Sequence, residues 1–79
     1  MTEFGKRLRI IRMDKQELLY DMANKLQVTS SFLSGVEHGK RKPPLNMGLD
    51  IAKLYNFTKE ETNELDQLCI KQIRAMKEV

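Results

Sequence analysis

Apolar positions recur along this chain at helical spacing, in five runs separated by polar turns. Phe4, Leu8 and Ile11 fall at i, i+4 and i+7, which predicts a helix over residues 3–13 with Thr2 as its N-cap. Asp14-x-x-Glu17 has the form of a capping box and predicts a second helix over residues 15–26. Leu18, Leu19, Met22, Ala23 and Leu26 would be its apolar face, with Leu18 and Leu19 expected in the core. A third helix is expected over residues 30–38, with Thr29 as N-cap, Leu33 and Val36 facing inward, and Gly39 in the left-handed position past its end. Leu49, Ile51, Ala52 and Leu54 predict a core helix over residues 46–55, ended by Asn56, with Phe57 packing back. Thr58-x-x-Glu61 is a second capping box and opens a fifth helix that is expected to reach Lys77. Acids gather at the start of that helix and Lys71, Arg74 and Lys77 near its end, as the helix dipole favours. The expected fold class is therefore all-α.

Residues 21–39 organise this pattern. Two short helices meet there across a tight turn, with the small Ala23 where they must approach and Leu26, Val28, Leu33 and Val36 as anchors. Such a unit is a helix-turn-helix, whose second helix enters the DNA major groove. The surrounding residues extend the match: Phe4-Gly5, Leu8-Arg9, Ile11-Arg12, Ala23-x-x-Leu26-x-Val28-Thr29, Phe32-Leu33-Ser34-x-Val36-Glu37, Gly39-Lys40-Arg41 and Pro43. Residues 4–57 thus resemble the Cro/CI-type (XRE-like) helix-turn-helix family of small phage and bacterial regulators. The resemblance implies a five-helix lambda-repressor-like DNA-binding fold, with the helix-turn-helix in helices 2 and 3 and the Cro/CI-type helix-turn-helix domain itself over residues 1–57. Residues 58–79 would add a C-terminal helix.

The resemblance also implies residue roles. An arginine at the position of Arg12 pairs in that family with a glutamate at the position of Glu37, tying helix 1 to the motif. A glutamine that binds phosphate is common where Leu19 stands, and leucine cannot do this. Either Lys15 and Gln16 take over through an early start of helix 2, or this clamp is absent. Many relatives carry a long side chain where this chain has Gly35, so one base reader is missing. Phe32 stands where tyrosine is frequent, and could touch the DNA or pack half-buried against helix 2.

The remaining DNA-contacting candidates follow from chemistry. Ser30, Ser31 and Ser34 lie opposite the core side of helix 3, and serine can hydrogen-bond to several base edges. Thr29 and His38 flank them. His38 lacks partners with metal-ligand spacing and is expected at the surface or beside phosphate. Lys40, Arg41 and Lys42 follow directly, stiffened by Pro43 and Pro44, and are expected to touch phosphates. Residues 1–47 carry nine Lys/Arg against five Asp/Glu, a net +4, whereas residues 48–79 carry five against six. The basic excess lies on the segment with the motif, as a nucleic-acid footprint should.

Composition narrows the alternatives. A chain of 79 residues supports one modest core. No run approaches the roughly 18 apolar residues of a membrane span, and no signal peptide is visible. The single cysteine, Cys69, excludes an internal disulfide and a cysteine-cluster zinc site, so a cytoplasmic location is expected. No catalytic triad, glycine-rich phosphate loop or paired carboxylates stand out, so neither enzymatic activity nor a cofactor, metal or small-molecule ligand is expected. Leu65, Leu68, Cys69, Ile73 and Met76 form a stripe on a helix longer than a small core needs, a candidate dimer interface. The leading expectation is a sequence-specific regulator, in particular a repressor of phage, mobile-element or toxin-antitoxin type, binding double-stranded DNA as a homodimer. The alternative is a protein-binding module that keeps the fold without specific DNA binding.

Overall fold

The computed structural model describes residues 1–76. Among these residues the chain forms five helices and no strand: α1 (Glu3–Lys15), α2 (Leu19–Leu26), α3 (Ser30–Glu37), α4 (Met47–Leu54) and α5 (Lys59–Ala75). The expected end of the fifth helix at Lys77 lies outside the described residues. The chain divides into two compact units, Met1–Arg41 and Lys42–Val79.

In the first unit, α3 packs against both α1 and α2. Phe4, Leu8, Met22, Ala23, Leu33 and Val36 are almost wholly removed from water. Thr2 caps α1 by accepting the Gly5 N–H at 2.9 Å, and Thr29 caps α3 by accepting the Phe32 N–H at 3.0 Å. Each satisfies one of the donors a helix start leaves open.

The helix ends share one device. Gln16, Gln27, Gly39 and Asn56 follow α1, α2, α3 and α4 in the left-handed conformation, with φ of 56°, 60°, 75° and 55°. The next N–H then folds back: Glu17 to Arg12 O at 2.8 Å, Val28 to Ala23 O at 3.0 Å, Lys40 to Gly35 O at 2.8 Å and Phe57 to Ala52 O at 2.9 Å. These are Schellman closures, which satisfy carbonyls left open at a helix C-terminus.

The first closure corrects the expected start of helix 2. With Gln16 left-handed, Asp14 stays inside α1 and cannot cap a following helix. The N-cap of α2 is Leu18, whose N–H donates to the Asp21 carboxylate at 2.8 Å. The helix therefore starts four residues later than expected. Leu18 stands before its first turn and is 72% exposed, and Leu19 is only half-buried, so neither is core. Glu17 meets the Lys25 ammonium instead of capping.

In the second unit, α4 packs on α5. The inward line of α4 is Met47, Ile51 and Tyr55 with Gly48 and Ala52 beside it. Leu49 and Leu54 lie off that line and are exposed, contrary to their expected core role. Gly48 sits at the crossing: a Cβ there would lie 3.1 Å from the Asp66 Cα and 3.2 Å from the Leu65 carbonyl oxygen. Thr58 and Glu61 form a reciprocal box at the start of α5, with bonds of 2.8 and 3.2 Å. Leu65 and Cys69 of the apolar stripe are fully enclosed in the chain's own core, whereas Leu68, Ile73 and Met76 are half-buried. Any surface the stripe offers a partner is thus limited to the last three.

Candidate nucleic-acid interface

The arrangement begins at the seam between α1 and α3. The Thr2 N–H and hydroxyl both donate to the Glu37 carbonyl oxygen, at 3.1 and 3.3 Å. Three residues on, Gly5 lies against the Glu37 backbone. Further along α1, the Arg12 guanidinium grips the Glu37 carboxylate at both oxygens, one contact being Nη2 to Oε1 at 3.1 Å. Arg12 Nη1 also lies 3.6 Å from Met22 Sδ, so this buried cation touches α2 as well. Both side chains are nearly inaccessible, at 9% and 3% exposure. A buried charge pair persists only when its geometry is good and its remaining groups are satisfied. Here the pair holds α3 at its C-terminal end, while Thr29 closes its N-terminal end.

Fixing one side of α3 leaves the other facing solvent. Ser31 and His38 are exposed, and Ser30, Phe32, Ser34 and Gly35 are half-buried. His38 Nδ1 lies 2.9 Å from the Ser34 carbonyl oxygen. A carbonyl only accepts, so Nδ1 carries the proton and Nε2 remains the ring's other polar atom. Lys40 and Arg41 are exposed just past the α3 closure. Lys42, also exposed, opens the second unit.

Two of the expected contacts are displaced. Lys15 is the last residue of α1 and Gln16 its left-handed cap, so neither stands at the front of α2. The early helix start that would let them replace the missing glutamine does not occur. The first turn of α2 instead exposes Tyr20, at 65%, beside Leu18. Tyr20 is not among the apolar positions Leu18, Leu19, Met22, Ala23 and Leu26 assigned to the inner face of this helix. Gly5 and the double role of Thr2 were also missed as contacts, although the Phe4-Gly5 pair was visible.

Charge separates the two units sharply. Residues 1–41 hold eight Lys/Arg against five Asp/Glu, and residues 42–79 hold six against six. The entire net charge of +3 therefore belongs to the unit containing α2 and α3. Among the described residues no cluster of three or more His, Cys, Asp or Glu could hold a metal ion, and no helix is long and apolar enough to cross a membrane. No family model, curated protein or solved structure matches the chain.

Proposed function

We propose that this chain is a sequence-specific regulator that binds double-stranded DNA. In this reading α2 and α3 form a helix-turn-helix in a lambda-repressor-like domain of the Cro/CI type, and α3 enters the major groove. The observation that carries it is the one-sided fixing of α3. Its inner side is locked by Leu33, Val36 and the Arg12–Glu37 pair and its start is capped by Thr29, while Ser31, His38, Lys40 and Arg41 are exposed and Ser30 and Ser34 are half-buried. The net positive charge of the same unit supports attraction to phosphate. Repression would follow from occupying an operator as a homodimer, each α3 on one half-site, the half-sites about one helical turn apart. The half-buried part of the α5 stripe, Leu68, Ile73 and Met76, is the proposed dimer surface.

The test is selection of bound duplexes from a random library, followed by salt titration on the selected and a scrambled duplex. A palindromic motif with salt-dependent affinity is expected. Absence of duplex binding at low salt would refute the reading.

One observation favours a second reading, a protein-binding module. The start of α2 presents Leu18 and Tyr20 to solvent where a phosphate-binding side chain would serve DNA better. That reading requires a partner protein that no longer binds after Leu18→Glu, and no duplex binding by the wild type.

A further inference from the structure

Gly35 lies on the outward side of α3, one turn from Ser31 and one turn from His38. A Cβ built on it would lie 2.5 Å from Arg41 Cγ, 3.3 Å from Arg41 Cβ and 3.8 Å from Arg41 Cδ. The aliphatic stem of Arg41 therefore crosses the bare α-carbon of Gly35. The backbone holds it there. The Gly35 carbonyl accepts both the Lys40 N–H at 2.8 Å and the Arg41 N–H at 3.1 Å. The left-handed Gly39, with φ of 75°, turns the chain back to make this possible. Arg41 is thus a seated side chain on the α3 surface, although it belongs by sequence to a basic run.

From this geometry we infer that Arg41 is a base-reading residue, and that Gly35 is the seat that positions it. The inference rests on the DNA-binding function proposed above. A side chain rooted at position 41 but lying over position 35 occupies the place a long residue at 35 would otherwise take. Guanidinium is the group that pairs bidentately with guanine O6 and N7 in the major groove. The partner chemistry is therefore a guanine in the half-site read by α3. Lys40, which is not seated on α3 in this way, keeps the phosphate role.

Gly35→Ala probes the seat directly: the added methyl would meet Arg41 Cγ at 2.5 Å and Cβ at 3.3 Å, so the exposed Arg41 side chain has to turn away and its root has to give by a few tenths of an ångström. Library selection with the full chain should yield a site containing a guanine that is preferred by about tenfold or more. Arg41→Ala and Gly35→Ala should both abolish that preference, and the double variant should behave like either single one. Arg41→Lys should bind scrambled duplex as the wild type does yet keep only part of the guanine preference, because an ammonium lacks the planar fork. In the free wild-type protein, nuclear Overhauser contacts between Gly35 Hα and Arg41 Hγ are expected. An Arg41→Ala variant that weakens all duplexes equally and flattens the salt dependence would make Arg41 a phosphate contact and overturn the inference. A Gly35→Ala variant that keeps the guanine preference would overturn the seat. In both cases the wild type still selects a motif, which separates these failures from failure of the DNA-binding function itself.

Discussion

A Cβ placed on Gly5 would lie 2.2 Å from the carbonyl oxygen of Glu37 and 2.7 Å from its Cα. Two helices, 32 positions apart in sequence at this point, touch here backbone to backbone. The obstacle is main chain, which cannot rotate aside as a side chain can. Gly5→Ala should therefore separate α1 from α3 and destabilise the fold by about 3 kcal/mol. Urea unfolding measures it, and an unchanged midpoint would disprove the contact.

The same glutamate carries the buried ion pair. Glu37→Ala leaves the Arg12 guanidinium enclosed without its carboxylate and should cost roughly 3 kcal/mol. Glu37→Gln retains a hydrogen-bond acceptor and should cost less. Equal melting temperatures for Glu37→Ala and the wild type would contradict the structural role given to the pair.

Gln16 and Gln27 hold left-handed backbone conformations that strain any residue with a Cβ. Neither side chain is buried, so removing them sacrifices little packing. Gln27→Gly should therefore raise stability by about 1 kcal/mol, and Gln16→Gly by a similar amount. A drop in the denaturant midpoint of both variants would show that the closures are not strained as described.

Cys69 is fully enclosed, and its thiol donates to the Pro44 carbonyl oxygen at 3.7 Å. Burial raises its pKa, a backbone hydrogen bond to Gly48 lowers it, and the Asp66 charge raises it again, leaving it above the ordinary value. A raised folded-state pKa means that the thiol's contribution to stability is fully present below the unfolded-state pKa, about 8.5. That contribution is lost as pH rises toward the folded-state value. Stability should therefore fall above about pH 8.5 more steeply in the wild type than in Cys69→Ala. Iodoacetamide should label Cys69 only as fast as the second unit opens. Labelling at the rate of a free thiol would contradict its enclosure.

On DNA, removing one phosphate-binding side chain should flatten the plot of log affinity against log salt by about 0.9. Replacing Lys40 and Lys42 together by alanine should reduce that slope by about 2 and weaken selected and scrambled duplexes alike. Ser31→Ala should leave the slope unchanged and alter preference at one base pair by roughly 1 kcal/mol. A serine variant with unaltered preference would remove Ser31 from the proposed base-reading surface.

Local chemistry was legible in the sequence. Thr2, Thr29 and Thr58 cap helices because a hydroxyl reaches an N–H three residues ahead whatever the rest of the chain does. Gly39 and Asn56 were likewise readable as helix ends, since these residue types tolerate the left-handed conformation. Five helical runs followed from apolar spacing. The Arg12–Glu37 contact was anticipated only from the resemblance, because nothing in the spacing of residues 25 positions apart requires it.

Tertiary structure decided the rest. Gln16 and Gln27 end helices although glutamine carries no left-handed preference, so residue type alone does not announce these ends. The turn at Gln16 moved the start of α2 from Lys15 to Leu19 and put Leu18 in solvent. The sequence shows that Gly5, Gly35 and Gly48 lack a Cβ, but not which atoms need the space. Those atoms belong to Glu37, Arg41 and Asp66, which reach their glycines only once the chain has folded. A glycine's conformational freedom is local and can be read from its identity, whereas the neighbour that fills its missing volume is fixed by the fold.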